Sequence, residues 1–358
     1  MIKSFDEVFE DVTKLGVKIK TDEYHPIGKY QIIDQGQEAV AGYSDLEDGV
    51  FENVPAIVFG DHTRIVKYVD QPFFLGADGV KVLRSRFKDA NYRYLYYALK
   101  SVKIPNTGYN RHFKWLKEAK IYYPNSEEQS KIVLILDEIS SVIEHRQRQL
   151  QKLDELVKAR FIELFGDMFL NSKAWKKQAL DSLADVVSGI TKGRKTKEPQ
   201  LIEVPYMAVS NVKDGYIDWT TVKTIQATQQ EIEQYRLLPD DVLMTEGGDP
   251  DKLGRGAILK EPLQNCIHQN HIFRVRLNES LILPAFFEEY LKHQKAKRYF
   301  PGCAKQTTGI ASINMRQLKA LPVLLPPLEL QEQFAAFVEQ TDKSKVAVQT
   351  ALRKKGII

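Results

Sequence analysis

The chain of 358 residues lacks several features that would narrow its function at once. It has only two cysteines, Cys266 and Cys303, which argues against a disulfide framework and a zinc site built from cysteine pairs. No apolar run approaches the ~18–20 residues of a membrane-spanning helix. The opening MIKSFDEVFED is acidic where a signal peptide is first basic and then apolar. We therefore expect a cytoplasmic protein with no membrane partner.

An excess of one charge is also missing. Lysine and arginine outnumber aspartate and glutamate by 51 to 47, for a net charge of +4. Hydrophobic residues make up 43% and charged residues 27%, as in ordinary globular proteins. This balance permits nucleic-acid binding without indicating it, and it excludes wholesale disorder.

Catalytic signatures are absent as well. The sequence contains no GxxxxGK[ST] phosphate loop, no GxSxG nucleophile elbow, no HExxH metal pair and no Asn/Asp-Pro-Pro-aromatic tetrapeptide of amino-methyltransferases. His268 and His271 form HQNH, which could hold a metal, but such a pair in a strand is more often structural. We predict no catalytic residue and no metal site.

A heptad repeat is the clearest pattern that is present. One position of the heptad is apolar throughout, and its companion is interrupted twice by arginine. The first comprises Leu136, Ile143, Leu150, Val157 and Leu164, and the second Ile132, Ile139, Arg146, Leu153 and Arg160. The pattern predicts one helix over residues 127–165, about 58 Å long, that packs against a partner helix. A long core helix of a bundle is the alternative.

An internal repeat supplies that partner. WLKEAKIYYPNSEEQ at 115–129 aligns with QLKALPVLLPPLELQ at 317–331 at an offset of 202, with five identities. The same offset carries the heptad onto a shorter second helix, about 329–355, with Phe334, Val338, Val348 and Leu352 on its seam. The sequence therefore predicts a duplication.

The rest of the chain predicts mixed structure. Candidate strands, chosen by alternation and by flanking turn residues, are 54–60, 63–69, 80–87, 206–209, 241–245 and 271–277. In the last of these Arg274 and Arg276 alternate with apolar residues, as on a half-buried strand. We predict an α+β fold with a globular unit at 1–126, a spacer helix at 127–165, a second globular unit at 166–327 and a second spacer helix at 328–358, the two helices being antiparallel.

Two polar loops carry the binding chemistry. TKGRKTK at 191–197 suits phosphate neutralisation, and PNTGYNRHFK at 105–114, with its repeat copy at 305–309, has side chains used for phosphate and base-edge contacts. A solvated surface loop is the alternative for 191–197. The glycine-rich stretch 247–256 could cradle a phosphate, but a tight turn between strands is the favoured interpretation. The candidate DNA contacts are Asn106, Thr107, Tyr109, Asn110, Arg111, Lys192, Arg194, Lys195, Lys197, Lys252, Arg255, Gln306 and Thr307. The candidate helix contacts are Ile132, Leu136, Ile139, Ile143, Leu150, Leu153, Val157, Phe334, Val338, Val348 and Leu352.

Nearly the whole chain resembles the specificity (S) subunit of type I restriction-modification systems. The resemblance lies in LKEAKIYYPNSEEQSKIVLILDEI and LKALPVLLPPLELQEQFAAFVEQ, in the helix end QRQLQKLDELVKARFIELFGD, and in DVLMTEGGDPDKLGRGAIL with CIHQNHIFRVR. The first repeat has Tyr122-Tyr123-Pro124-Asn125 where the family usually has Leu-Leu-Pro-Pro.

The resemblance implies a non-catalytic subunit with two target-recognition domains, each reading half of a bipartite, asymmetric double-stranded DNA site. It implies two methyltransferase (M) subunits docked on the paired helices and restriction (R) subunits beyond them. S-adenosylmethionine, ATP and Mg²⁺ would then belong to those partners. Two alternatives remain: an adaptor that binds only proteins, and a self-contained nuclease or methyltransferase with an unrecognised site.

Overall fold

The computed structural model describes residues 1–195, 200–248, 253–307 and 310–354, without the side chains of residues 294, 295, 297, 305–307, 310, 353 and 354. By their internal contacts these residues form two compact units, 1–145 and 146–358, with a long helix that runs from the first into the second. Each unit is described by itself.

The first strand of unit 1 pairs with its last strand, which leads into a long helix. Its elements are β1 (Ile2–Ser4), α1 (Phe5–Val8), β2 (Phe9–Asp11), β3 (Tyr30–Ile33), β4 (Gly42–Ser44), β5 (Ala56–Gly60), β6 (Val66–Val69), β7 (Phe73–Leu75), β8 (Val80–Ser85), α2 (Tyr92–Lys100), α3 (Phe113–Lys117), β9 (Lys120–Tyr122) and α4 (Ser126–Phe165), which continues into unit 2. β1 and β9 are antiparallel. The other strands form two sheets, in the orders β2-β8-β5-β6 and β4-β3-β7.

Aromatic side chains hold α1, α2 and α3 onto the larger sheet of unit 1. Phe5, Phe59 and Phe113 are buried together, with the Phe5 and Phe113 rings edge to face at 5.8 Å. The hydroxyl of Tyr94 on α2 donates to the carbonyl of Tyr122 at 2.5 Å, and burial raises the pKa of Tyr94 to about 12. This hydrogen bond fixes α2 against the strand that leads into α4.

Unit 2 has the same types of element and one additional sheet. They are β10 (Lys176–Ala179), β11 (Ala184–Ser188), β12 (Ile202–Met207), β13 (Lys223–Ala227), α5 (Gln229–Tyr235), β14 (Val242–Thr245), β15 (Gly247–Gly248), β16 (Gly256–Ile258), β17 (Ile267–His268), β18 (Ile272–Leu277), α6 (Pro284–Lys292), α7 (Gln294–Cys303), β19 (Lys305–Thr307), β20 (Ile310–Ser312), α8 (Met315–Lys319), β21 (Pro322–Leu325) and α9 (Leu328–Lys354). The sheets run β10-β21, β11-β18-β14-β16, β13-β12-β17 and β15-β20-β19.

The two units share one topology. In each, the middle strand of the three-stranded sheet is antiparallel to one neighbour and parallel to the other. In each, an isolated parallel bridge extends that sheet, Lys18 to Leu75 and Ile190 to Gln269. The predicted duplication therefore extends across the whole unit and is not limited to the aligned segment.

The long helices start in the same way. Asn125 caps α4, its side-chain oxygen accepting from the amide of Glu128 at 2.9 Å. Four residues later, buried Gln129 donates to the carbonyl of Pro124 at 2.9 Å. At the offset of 202, buried Gln331 donates to Pro326 at 2.9 Å. Both glutamines pin the proline turn to the first helical turn.

Within unit 2, α9 packs antiparallel against the last part of α4. Phe334, near the start of α9, meets Phe161 and Phe165 at 5.4 and 5.6 Å between ring centroids. Farther along α9, Lys345 pairs with Asp154 at 2.7 Å. Residue numbers that rise on one helix and fall on the other define the antiparallel arrangement, as predicted.

The seam is buried unevenly. Val157, Leu164, Phe334 and Leu352 are buried. Ile139 is 38% exposed. The remaining seam residues are half-buried, namely Ile132, Leu136, Ile143, Leu150, Leu153, Val338 and Val348. In unit 1 the first part of α4 contacts α2 through polar groups: the carboxylate of Asp137 accepts hydrogen bonds from Arg93 and from the hydroxyl of Tyr97.

Two local predictions were wrong. The strand predicted at 206–209 is β12, Ile202–Met207, and Pro205 within it had obscured the pattern. Arg274, predicted to face solvent, is buried because its face of β18 is also covered: Ile272 on the same face is in the core, and Arg274 donates to the carbonyl of Gln234 at 3.2 Å and pairs with Asp185 at 2.5 Å. Arg276 is only partly exposed and pairs with Asp241.

Candidate nucleic-acid interface

The polar loop of unit 1, residues 105–111, is held at its end by Asp61. The amide of buried His112 donates to the carbonyl of Asp61 at 2.8 Å, and the amide of Phe113 donates to its carboxylate at 2.7 Å. Within the loop, Gly108 has φ +77° and open space around it, and the side chain of Asn110 donates to the carbonyl of Thr107 at 2.5 Å. The loop therefore has a defined conformation on a fixed base.

The same loop presents its polar side chains to solvent. Tyr109 is 87% exposed and stacks on His62 with ring centroids 4.6 Å apart. Asn106, Thr107, Asn110 and Arg111 are exposed. Lys18 at 2.8 Å, together with the charge of Arg111, lowers the pKa of Asp78. An arginine, two asparagines and a stacked aromatic ring can contact phosphates and base edges.

The basic loop of unit 2 contains one anchored arginine and two exposed lysines. Arg194 donates to both carboxylate oxygens of Glu231, and this hydrogen bonding lowers the pKa of Glu231. Glu231 itself belongs to the capping box that Thr228 forms at the start of α5. Lys192 and Lys195 are exposed on either side of Arg194. Arg194 thus fastens the loop, while the lysines face solvent; Lys197 lies outside the described residues.

The other candidate contacts in unit 2 lie around its additional sheet. Gly247–Gly248 forms β15 and pairs with β20, and Gly254 takes φ +71° in the turn before β16. Arg255 is half-buried, with its Nε buried and not hydrogen-bonded. Gln306 and Thr307 lie on β19, but their side chains are outside the described set, as is Lys252 entirely.

The HQNH histidines have separate surroundings. His268 is buried, its Nδ1 lies 3.0 Å from the carbonyl of Ile272, and burial lowers its pKa to about 4. His271 is exposed and pairs with Glu246 at 2.5 Å. Among the residues described, no group of three histidine, cysteine, aspartate or glutamate side chains could hold a metal ion, and no helix is long and apolar enough to cross a membrane.

Sequence reasoning missed a surface in unit 1, which we call the cationic groove. It is a cavity of about 880 Å³ between α2 and the edge strand β6. Its charged lining is Arg64, Lys67, Arg93, Lys100 and Lys103, with Glu144 as its one carboxylate among the described residues. These residues come from three separate segments, so only the basic pair Lys100 and Lys103 could have drawn attention in the sequence.

The chain therefore consists of two copies of one α+β unit, each followed by a long helix and bearing its own exposed polar or basic loop as a candidate DNA contact. The chain belongs to the family described as the type I restriction modification DNA specificity domain, whose model matches residues 1–155 and 172–355. The resemblance drawn from the sequence is thereby confirmed.

Relatives agree with this assignment. The chain is 29% identical over 169 residues to the putative type I restriction enzyme MjaX specificity subunit of Methanocaldococcus jannaschii, a match covering 47% of this chain and 39% of that protein. It is 22% identical to the EcoR124I/EcoR124II specificity subunit of Escherichia coli, over 93% of this chain and 84% of that one. The crystal structure of the S subunit of a type I restriction-modification system from M. genitalium shares the fold, with a TM-score of 0.55, 18% identity and coverage of 99% and 92%.

Proposed function

We propose that this chain is the non-catalytic specificity subunit of a type I restriction-modification system and that its two units read the two halves of a bipartite, asymmetric DNA site. One observation carries the proposal: within a chain of this family, two units share strand order and pairing but carry different exposed loops. A shared backbone with different loops is suited to reading two different short sequences.

The loops divide the work between positioning and reading. In unit 1, Arg111 suits a bidentate contact with guanine, and Asn106 or Asn110 suits one with adenine. In unit 2, Lys192 and Lys195 contact phosphates. The segment 305–307 has the same position in the sequence repeat as the polar loop of unit 1. Phosphate contacts fix the register of the protein on the duplex, and base contacts supply the specificity.

The long helices supply the docking surface for partner subunits. α4 keeps large apolar side chains in solvent outside its seam, and α9 keeps one. The most exposed are Leu134, Ile135, Leu156, Ile162 and Val346. Such side chains along a helix are typical of protein interfaces. We assign them to two methyltransferase subunits, with restriction subunits joining that complex in the cytoplasm; those partners hold S-adenosylmethionine, ATP and Mg²⁺.

Methylome sequencing tests the proposal directly. The chain is co-expressed with the methyltransferase encoded with it, in a host that lacks adenine methylation. We expect one split motif, methylated in both halves, with a fixed gap. A stable complex that methylates nothing would favour an adaptor that binds only proteins. Methyl transfer by the isolated chain would favour a self-contained enzyme.

A further inference from the structure

The cationic groove of unit 1 has more positive charge than its own carboxylates neutralise. Lys67 pairs with Asp34, and Arg93 pairs with Asp137. In the part of the chain that the structure describes, no carboxylate lies within ion-pair distance of the other three cations, Arg64, Lys100 and Lys103. The remaining lining acid is Glu144. The groove therefore has an uncompensated charge that an anionic ligand would balance.

Arg64 is held there against the preference of its backbone. It has φ +64°, a conformation that favours glycine. The equivalent turn of unit 2 has glycine at this position. The amide of Gly60 donates to the carbonyl of Ile65, and in unit 2 the amide of Thr245 donates to the carbonyl of Arg255. Arg64 therefore corresponds to Gly254, which has φ +71°. The Nε of Arg64 is buried with no hydrogen-bond partner. A strained, incompletely paired arginine indicates a role in binding.

The corresponding groove of unit 2 has the opposite charge. It lies against α6 and the edge strand β16, the counterparts of α2 and β6, and has a volume of about 1210 Å³. Nine carboxylates and four lysines line it, among them Glu288 and Glu289. The positive charge in unit 1 is therefore not a consequence of the shared fold, and its ligand belongs to unit 1 alone.

The cationic groove is continuous with the polar loop. Lys103 and Ile104 line the groove, and the next residue begins the loop 105–111. On the other side, Arg64 lies two residues after His62, on which Tyr109 stacks. The groove walls also orient the cations, since Arg93 lies over the ring of Tyr68 at 5.0 Å and Lys100 over Tyr96 at 5.4 Å.

We propose that the cationic groove seats the sugar–phosphate backbone of the duplex beside the half-site read by unit 1, with Arg64, Lys100 and Lys103 contacting phosphates. This inference rests on the proposed function. A duplex that meets the loop 105–111 carries its phosphates onto the adjoining groove, because each strand places a phosphate every ~3.4 Å along the helix axis and the groove opens next to the loop. The groove sets affinity, and the loop sets sequence.

Salt titration of DNA binding tests the groove. Three variants of the full chain are assembled with its methyltransferase partner. Two change the cationic groove: Arg64→Gly, and the pair Lys100→Gln with Lys103→Gln. The third, Lys158→Gln with Lys260→Gln in the acidic groove of unit 2, removes the same charge as the lysine pair and is the control. The dissociation constant is measured between about 50 and 200 mM salt, for a duplex that contains the sequence motif found by methylome sequencing and for one that lacks it.

We expect the slope of log Kd against log salt to fall by about one for Arg64→Gly and by about two for the lysine pair, equally on both duplexes, with the control unchanged. Arg64→Gly suits the left-handed backbone, so loss of binding by this variant is not a folding defect. Wild-type slopes in the groove variants, or equal losses in the control, would overturn the inference while the proposed function stands.

Two further outcomes identify other errors. Weaker assembly with the methyltransferase in the absence of DNA would replace the phosphate backbone by an acidic protein segment as the ligand of the groove. If the wild-type complex does not prefer the duplex that carries its motif, the proposed function falls, and the groove inference falls with it.

Discussion

The two units of this protein have the same strand order and almost no surface chemistry in common. What they share is internal: Gln129 and Gln331 at the helix starts, and Tyr94 and Tyr290, which donate to carbonyls of the strands before those helices. What differs faces solvent, most clearly the cationic and acidic grooves. A few buried hydrogen bonds thus preserve a fold over which charge and loops have diverged freely.

The shared glutamines differ in how many bonds they make. Gln331 bonds Leu283, Leu281 and Pro326, whereas Gln129 bonds only Pro124 through its side chain. Replacing Gln331 by leucine removes the partner of one buried and two partly buried backbone groups, so we expect unit 2 to lose roughly 3–4 kcal/mol, against about 1 kcal/mol for unit 1 with Gln129→Leu. Native-state hydrogen exchange, followed separately for amides of each unit, measures the loss of unfolding free energy in both variants. Equal losses would show that the bonds are energetically equivalent.

Acid should distinguish the units through His268. In the parallel strand pair of unit 2, His268 occupies the position that Phe74 occupies in unit 1. Burial depresses its pKa from the ordinary histidine value of 6.5 to about 4 in the folded protein. The unfolded state therefore binds the proton first, and unit 2 keeps its full stability above pH 6.5 and loses up to about 3 kcal/mol as pH falls towards 4.

Urea unfolding of unit 2 between about pH 7 and 4.5 checks this, with His268→Gln expected to flatten the pH dependence. His145, exposed on α4, supplies the matched control as His145→Gln. An unchanged pH profile in His268→Gln would mean that another group causes the loss.

The anchor of the basic loop gives a smaller effect. The side chains of Arg194 and Glu231 are 20% and 22% exposed, so we expect a coupling of about 1 kcal/mol in a double-mutant cycle with Arg194→Gln and Glu231→Gln. Because the folded pKa of Glu231 is lowered, the coupling is present above about pH 4.5 and is lost as pH falls through the folded pKa.

Glu231→Gln also separates an anchor from a direct DNA contact. If Arg194 only positions Lys192 and Lys195, both single variants weaken DNA binding to the same extent. If Arg194 itself contacts phosphate, Glu231→Gln releases it and strengthens binding, which would contradict the assignment of Arg194 as an anchor.

The smallest expected change is at the turn before β6, where Arg64 has the left-handed backbone that Gly254 has in unit 2. Arg64→Gly gives unit 1 the residue of unit 2 and relieves a left-handed arginine, so we expect the free energy of unfolding to rise by about 0.5 kcal/mol. Thermal unfolding measures it. A lower Tm would show that Arg64 contributes contacts to the fold, and its place in the groove would then be structural.

Prediction from the sequence worked where a signal is local or repeats. The heptad and its copy at offset 202 located both helices, since apolar periodicity is imposed by the geometry of a single helix. In the sequence the duplication could be detected only over the aligned segment. The shared strand order could not be detected, because it depends on pairing between residues distant in sequence. Arg274 was misplaced for the same reason: its burial comes from residues distant in sequence, such as Gln234, that cover its face of β18.

The sequence by itself determined the family, the two helices and the presence of two polar loops, because these depend on neighbours along the chain. Only the tertiary structure decided that Arg194 is an anchor, that His268 is buried, and that Arg64, Lys100 and Lys103 line one groove. Those properties arise where segments tens of residues apart are folded together, since desolvation and uncompensated charge belong to the place a side chain occupies.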